Sequence, residues 1–163
     1  MKLSSLQLKQ YFFTRIEVRE RPDNGVDHSL SAEFDTNSFD FVGVTIGTNL
    51  EVGEVREQQD DPRDFVIRLG IKIENKKGKP APYDICVEAI GNFTVSEDVP
   101  IDRRRDLVVF NGCSILYSAM REIVLIMTSR CAKGGVVLPT VNFVEHIKQN
   151  KNIINNTSTP SPT

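Results

Sequence analysis

Residues 65–74 have the sequence FVIRLGIKIE, and this stretch decides the fold class. Its odd positions are all large and apolar, whereas its even positions include an arginine, a glycine, a lysine and a glutamate. Alternation with a period of two is typical of a β-strand with one buried face and one wet face. Strands of this kind belong to antiparallel sheets that are covered on one side only. The stretch therefore predicts a strand of such a sheet.

Three further stretches alternate in the same way, so the sequence predicts four strands. The apolar faces are Phe12, Ile16 and Val18 with Thr14 in the first, Val42, Val44, Ile46, Leu50 and Val52 in the second, and Tyr83, Ile85, Val87, Ala89, Phe93 and Val95 in the fourth. Glycine and proline in segment 75–82 are typical of a hairpin loop, so strands three and four are predicted to pair directly. A long polar connection, residues 21–41, separates strands one and two. Loops of this length are uncommon unless they bind or cover something.

The pattern becomes helical after Pro100. Residues from about Cys113 to Arg130 contain no proline or glycine, and apolar residues recur every three or four positions. Additional apolar residues extend this surface almost around the helix, so one sheet face cannot cover it and self-association is predicted. The predicted oligomer interface consists of Ile123, Val124, Leu125, Ile126 and Met127.

A short second helix is predicted for residues 142–149, and the fold class is α+β. The expected domain spans residues 1–150, and residues 151–163 form a disordered C-terminal tail of polar composition. With 163 residues the chain is long enough for one domain with its own core.

Composition excludes several classes of function. The 20 basic and 22 acidic residues give a net charge of −2, which argues against nucleic-acid binding through bulk charge. The longest uninterrupted apolar run, residues 123–127, is far below the ~18–20 residues that spanning requires, so no membrane insertion is predicted. The first ten residues are too polar for a signal peptide, and the expected location is the cytoplasm.

No catalytic or metal site is predicted. Cys86, Cys113 and Cys131 do not have the spacing of a zinc or redox motif. His28 and His146 have no partner at triad or ligand spacing. The basic run 103–105 lies between two aspartates and is interpreted as a solvated turn. The sequence therefore indicates a binding protein without a cofactor, although an enzyme with an unrecognised site stays open as an alternative.

The region of the long helix resembles a known family. Residues 115–122 read ILYSAMRE, Ser129 and Arg130 follow, and residues 139–143 read PTVNF. This is similar to the C-terminal signature of the SecB export chaperones, ILF/YPxARE, then SRG, then PVNF. The resemblance extends over residues of about 9–150. Ser118 stands where the family usually has proline, Cys131 where it has glycine, and the acidic tail of typical members is replaced by a neutral one.

The resemblance implies an ATP-independent holdase that binds unfolded preproteins and keeps them competent for export. It also implies a homotetramer, a dimer of dimers with the long helices between the dimers. The implied client groove lies between crossover loop, sheet and second helix, and its candidate residues are Tyr11, Phe13, Phe34, Phe39, Phe41, Val144 and Ile147. Candidate contacts to the SecA motor are the acidic residues Glu20, Asp23 and Glu88.

Two alternatives remain open at this point in addition to an enzyme with an unrecognised site. One is a SecB-like chaperone dedicated to a single client, such as the antitoxin of a toxin–antitoxin system. The other is an oligomeric interaction protein without chaperone activity.

Overall fold

The structure, a computed structural model, describes residues 3–21, 39–54, 60–74 and 80–143. Its strands are β1 (Leu6–Glu20), β2 (Gly47–Glu54), β3 (Asp64–Ile73) and β4 (Tyr83–Val95). They form one antiparallel sheet in the order β1-β4-β3-β2. The predicted α+β class, the four-stranded sheet and the direct pairing of β3 with β4 are confirmed. β1 and β2 therefore lie at opposite edges of the sheet, about 14 Å apart.

The two central strands build the core. Every apolar residue that alternation assigns to the inner face of β3 and β4 is buried: Phe65, Ile67, Leu69, Ile71 and Ile73 on β3, and Tyr83, Ile85, Val87, Ala89, Phe93 and Val95 on β4. Burying one such large apolar side chain contributes about 1.5–3 kcal/mol before conformational entropy is subtracted. The helical layer described below covers this face, which is called the helix face; the opposite side is called the outer face.

The first strand departs from simple alternation. Two bulges, at Lys9 and Thr14, each add one residue to β1 without a counterpart on β4. A shift of one residue turns every following side chain to the other face. Tyr11 therefore pairs with Gly91 and lies on the helix face, whereas Phe12 pairs with Ile90 and lies on the outer face. The prediction that Phe12 and Thr14 share a face with the later apolar residues of this strand is wrong for this reason.

The second strand begins later than its sequence pattern predicts. Gly43 has a φ of 80°, and the Val44 N–H donates to the Phe41 carbonyl at 3.0 Å. This turn interrupts the extended chain, so residues 42–46 precede β2 and do not belong to it. Val44 and Ile46 still pack against the core, as the alternation indicated.

The helical layer is longer than predicted. Helix α1 (Ile101–Leu107) continues through a π-helical turn (Val108–Gly112) into α2 (Cys113–Thr128). Leu116, Met120 and Val124 of α2 are fully buried, and α2 packs on β1, β3 and β4. The interpretation of the basic run 103–105 as a solvated turn is wrong, because these residues form part of α1.

Together the helical residues 101–128 form one helix that is long and apolar enough, by length and composition, to cross a membrane. The prediction that the chain contains no segment long and apolar enough to span a membrane is wrong by this criterion. That prediction considered only uninterrupted apolar runs, whereas the criterion averages hydropathy along the helix. Core helices of soluble proteins meet the same criterion, and the inner side of this helix lies on the sheet.

Two glycines allow the helix to approach the sheet closely. A Cβ atom on Gly91 of β4 would lie 2.8 Å from Leu116 Cδ2 and 2.8 Å from Phe93 Cε2. A Cβ atom on Gly112, in the π-helical turn, would collide with Ile67 Cδ1. Side chains at these positions would therefore push the helical layer away from the sheet.

Residues 134–143 return beside α2 and are called the return segment. The Val136 N–H donates to Thr128 Oγ1 at 2.9 Å, and Arg121 Nε donates to the Leu138 carbonyl at 2.8 Å. Further along, the Tyr117 hydroxyl donates to the Pro139 carbonyl at 2.7 Å. The predicted helix 142–149 lies outside the described residues from position 144 onward, as does the predicted tail.

Candidate functional site

An apolar concave surface lies where residues 39–46 meet the return segment, and it is called the crossover groove. Its volume is about 430 Å³. The lining residues are Phe39, Asp40, Phe41, Val42, Val44, Ile46, Val137 and Pro139. Seven of these eight residues are apolar, so the groove offers hydrophobic contact with little ionic character. Grooves of this size and composition are typical of sites that accept apolar ligand or peptide groups.

An aromatic pair forms one wall of the crossover groove. The rings of Phe39 and Phe41 pack edge to face with their centroids 5.0 Å apart. Both residues are partly buried against the core, whereas the neighbouring Val42 is 76% exposed. Asp40 accepts a hydrogen bond from the Val42 N–H at 2.8 Å. Two backbone N–H groups of the turn at 41–44, those of Val42 and Val44, are thus hydrogen-bonded. The apolar side chains of the turn line the groove.

The predicted client residues Phe39 and Phe41 lie in the crossover groove, whereas the rest of its lining was not predicted as a client site. Val42, Val44 and Ile46 were predicted to lie on the apolar face of a strand, and neither Val137 nor Pro139 was predicted to contact a client. The sequence signal for this part of the lining is the run of closely spaced apolar residues between positions 39 and 46, which Gly43 interrupts. The return segment adopts its position only because α2 holds it by hydrogen bonds, which no local pattern reveals.

The predicted client residues on β1 lie at the other edge of the sheet. Tyr11 and Phe13 pack edge to face, with ring centroids 5.9 Å apart, and they are called the edge aromatic pair. Both lie on the helix face, and Tyr11 is 42% exposed. The structure therefore separates the predicted client set into two apolar surfaces. Phe34, Val144 and Ile147 lie outside the described residues.

A third apolar surface is formed by α2. The return segment covers one side of this helix, through Tyr117, Arg121 and Thr128. The opposite flank, called the helix flank, carries residues 115, 119, 123 and 126 at helical spacing. Ile126 is 57% exposed, and Ile115 and Met127 are also exposed, whereas Ile123 is partly buried.

Three residues of the predicted oligomer interface, Val124, Leu125 and Met127, lie outside the helix flank. Val124 is fully buried in the core of this chain, so the prediction that it needs cover from another subunit is wrong. Its position, four residues after Met120, places it on the side that faces the sheet. Leu125 lies near Gly135 of the return segment and is exposed.

The acidic residues predicted to contact a motor protein do not converge. Glu20 pairs with Tyr83 at one end of the sheet, on the helix face. Glu88 lies on the outer face, five residues and about 17 Å further along β4. Its carboxylate already accepts a hydrogen bond from the Thr14 hydroxyl and lies 3.8 Å from Arg68 Nε. Asp23 lies outside the described residues.

The outer face carries charges of both signs that are largely paired with one another. Arg15 binds Glu17 through two hydrogen bonds of 2.9–3.0 Å, which raise the pKa of the arginine and lower the pKa of Glu17. Likewise, the ion pair with Glu74 at 2.7 Å raises the pKa of Lys72. These exposed pairs contribute little to stability, but they give this face a mixed ionic character.

The buried thiol of Cys113 and the hydroxyls of Tyr117 and Tyr83 are neutral at physiological pH. Burial raises the pKa of the Cys113 thiol and of the Tyr117 and Tyr83 hydroxyls to about 12. A thiol in this state is not an effective nucleophile. Within the described residues, no group of three or more His, Cys, Asp or Glu side chains has the arrangement of a metal site. His28 and His146 lie outside those residues.

The sequence matches no family model, and no curated protein matches it. Among solved structures, the chain is similar to a SecB-like chaperone of Mycobacterium tuberculosis in complex with a ChAD peptide from an antitoxin. The TM-score is 0.49 at 17% identity, covering 84% of this chain and 91% of that chain. It is also similar to a protein of unknown function from Streptococcus agalactiae, with a TM-score of 0.48 at 14% identity, covering 83% of this chain and 97% of that chain.

Proposed function

We propose that this chain is a SecB-like, ATP-independent holdase that binds non-native polypeptides in the cytoplasm and keeps them competent for export. The observation that carries the proposal is the crossover groove. It is an apolar surface between a hydrogen-bonded turn and the return segment, which is hydrogen-bonded to α2. The sequence signature of residues 115–143 supports it independently. A concave surface lined mostly by apolar side chains is typical of sites that accept apolar groups.

The proposed mechanism is physical and has no covalent step. An unfolded client places its apolar side chains against Phe39 and Phe41 of the crossover groove and against the edge aromatic pair. Each buried apolar Å² contributes about 25 cal/mol, so a single contact is weak. Several contacts along one client chain reinforce one another through high effective concentration. Release then requires no nucleotide, only competition from folding or from a downstream partner.

A homotetramer belongs to the same proposal. The helix flank and Leu125 present exposed apolar side chains on α2, and exposed apolar surface is typical of protein–protein contacts. Assembly through these residues would place several client surfaces on one particle. The proposed interface retains Ile123, Leu125, Ile126 and Met127 from the sequence prediction and omits the buried Val124.

Docking to the SecA motor is the most specific element of the proposal. Glu20 is exposed at the end of β1, and with Asp23 it is the proposed contact. Glu88 contributes less, because its carboxylate is engaged by Thr14 and Arg68. We therefore expect Glu20→Lys to weaken SecA binding more than Glu88→Gln does, measured by calorimetry with purified SecA.

The test of holdase activity is light scattering from an unrelated, chemically denatured protein that is diluted into buffer without nucleotide. Wild-type protein is expected to suppress scattering near one oligomer per client. Phe41→Ser is expected to weaken suppression, because it removes an aromatic wall of the crossover groove. Ile101→Ser is the matched control, since Ile101 is an exposed apolar residue on α1.

Two outcomes separate the proposals. Equal losses for both variants would contradict the assignment of the groove, although holdase activity would stand. Failure of the wild type to suppress scattering at excess would contradict a general holdase. In that case a dedicated client, such as an antitoxin, or a folded partner is the alternative, and it should be sought by co-purification from the source cells.

A further inference from the structure

Residues 10–13 of β1 lie between the two bulges. Their side chains alternate between the two faces of the sheet in the opposite order from those of the rest of the strand. Leu6 and Leu8 before them, and Ile16 and Val18 after them, place even-numbered residues on the helix face. Within the window, the odd-numbered Tyr11 and Phe13 occupy that face. Without the bulges, regular alternation would place Phe12 on the helix face and turn the edge aromatic pair to the outer face. The bulges thus select which aromatic residues lie beside the helical layer.

The second bulge is held by a side-chain interaction across the strands. Thr14 is the inserted residue and has no counterpart on β4. Its hydroxyl donates to Glu88 Oε1 at 2.5 Å and lies 3.5 Å from the Glu88 carbonyl oxygen. Glu88 itself pairs with Arg15, the next residue of β1. The carboxylate therefore binds the extra residue of the bulge directly.

We propose that Thr14 and Glu88 are positioning residues that hold Tyr11 and Phe13 on the helix face. The assignment builds on the proposed function, in which the edge aromatic pair contacts clients. It gives Glu88 a role that requires a hydrogen-bond acceptor and not a negative charge. This differs from a motor-binding role, for which the charge itself would be needed.

The test uses tryptophan as a position-specific reporter, because the chain contains no tryptophan of its own. Phe12→Trp and Phe13→Trp are made separately, and acrylamide quenching is measured for each. In the otherwise unchanged protein, the reporter at position 12 is expected to be quenched more strongly, since Phe12 is 47% exposed on the outer face and Phe13 is partly buried. Adding Thr14→Val is expected to abolish or reverse this difference.

Thr94→Val is the matched control. The Thr94 hydroxyl donates to Asp64 Oδ1 at 2.5 Å on the same outer face, but the two residues pair directly and without a bulge. Losing this bond should lower the melting temperature without altering the difference between the two reporters. A merely structural contribution of Thr14 would behave like Thr94, so the comparison separates positioning from general stability.

Substitutions at Glu88 test the proposal from the other strand, should Thr14→Val fail to fold. Glu88→Gln keeps an oxygen acceptor and is expected to preserve the quenching difference, whereas Glu88→Ala is expected to abolish it. A preserved difference in Glu88→Ala, or its loss in Glu88→Gln, would overturn the proposal. No client is present in these measurements, so they stand even if the holdase assay fails.

Discussion

Arg104 of α1 and Asp61, in the segment that leads into β3, form an ion pair at 2.5 Å that joins the helical layer to the sheet. The arginine is only 4% exposed. Its Nε also donates to the Val99 carbonyl at 2.8 Å, and Nη1 donates to the Pro62 carbonyl at 3.2 Å. The guanidinium is thus surrounded by acceptors, which is the condition under which a buried charge is tolerated.

Replacing this arginine tests its structural role. Arg104→Ala removes three hydrogen bonds from a partly buried network, so we expect a loss of about 2–4 kcal/mol in the free energy of unfolding. Arg103→Ala is the control, since Arg103 is exposed on the same helix, and its expected effect is within about 0.5 kcal/mol. Urea denaturation followed by circular dichroism measures both. Equal effects would contradict a special role for Arg104.

The same pair predicts a pH dependence. Hydrogen bonds from Arg104 and then Arg63 lower the pKa of Asp61 below its usual value. A depressed pKa in the folded state means that the ionised carboxylate stabilises the fold above its unfolded pKa of about 3.9. That contribution is lost as the pH falls through the lower folded pKa.

We therefore expect the urea midpoint of Asp61→Asn to lie below that of wild type at pH 7, and the difference to shrink below about pH 4. Asp98→Asn, at an exposed turn residue, controls for the general effect of removing a negative charge. A difference that stays constant down to pH 3 would show that the carboxylate charge is not the cause.

The close contact between helix and sheet predicts an unequal response of two strand glycines. Gly91→Ala places a methyl group against Leu116 and Phe93 in the core, and we expect a loss of about 1–3 kcal/mol from overpacking. For Gly53→Ala on β2, nothing lies within 4 Å of the new Cβ atom, so stability should be unchanged or slightly higher. Thermal melts of the two variants provide the comparison.

Adjacent residues of α2 are expected to respond to aspartate in different ways. Leu125→Asp should split the oligomer while the fold is retained, because Leu125 is exposed on the individual chain. Val124→Asp should unfold the chain, because it places an unpaired charge in the core. Native mass and circular dichroism, measured on both variants, separate the two effects. An unchanged native mass for folded Leu125→Asp would contradict the proposed interface.

Local patterns determined much of this fold. The alternation in β3 and β4 predicted which residues are buried, because both strands pair regularly and one face is covered along the whole length. The spacing of apolar residues likewise predicted α2 from Cys113 onward. These inferences succeed because strand and helix periodicity depend only on neighbouring residues of the chain.

Tertiary structure decided the features that depend on distant partners. The phase of residues 10–13 follows from bulges whose stabilising acceptor, Glu88, lies 74 residues from Thr14. Arg104 is buried because Asp61, 43 residues away, supplies the opposite charge. The crossover groove exists only because α2 binds the return segment beside residues 39–46. The period-two alternation in the strands and the helical spacing in α2 determined by themselves where these elements form, whereas long-range hydrogen bonds and packing decided which side chains reach the surface together.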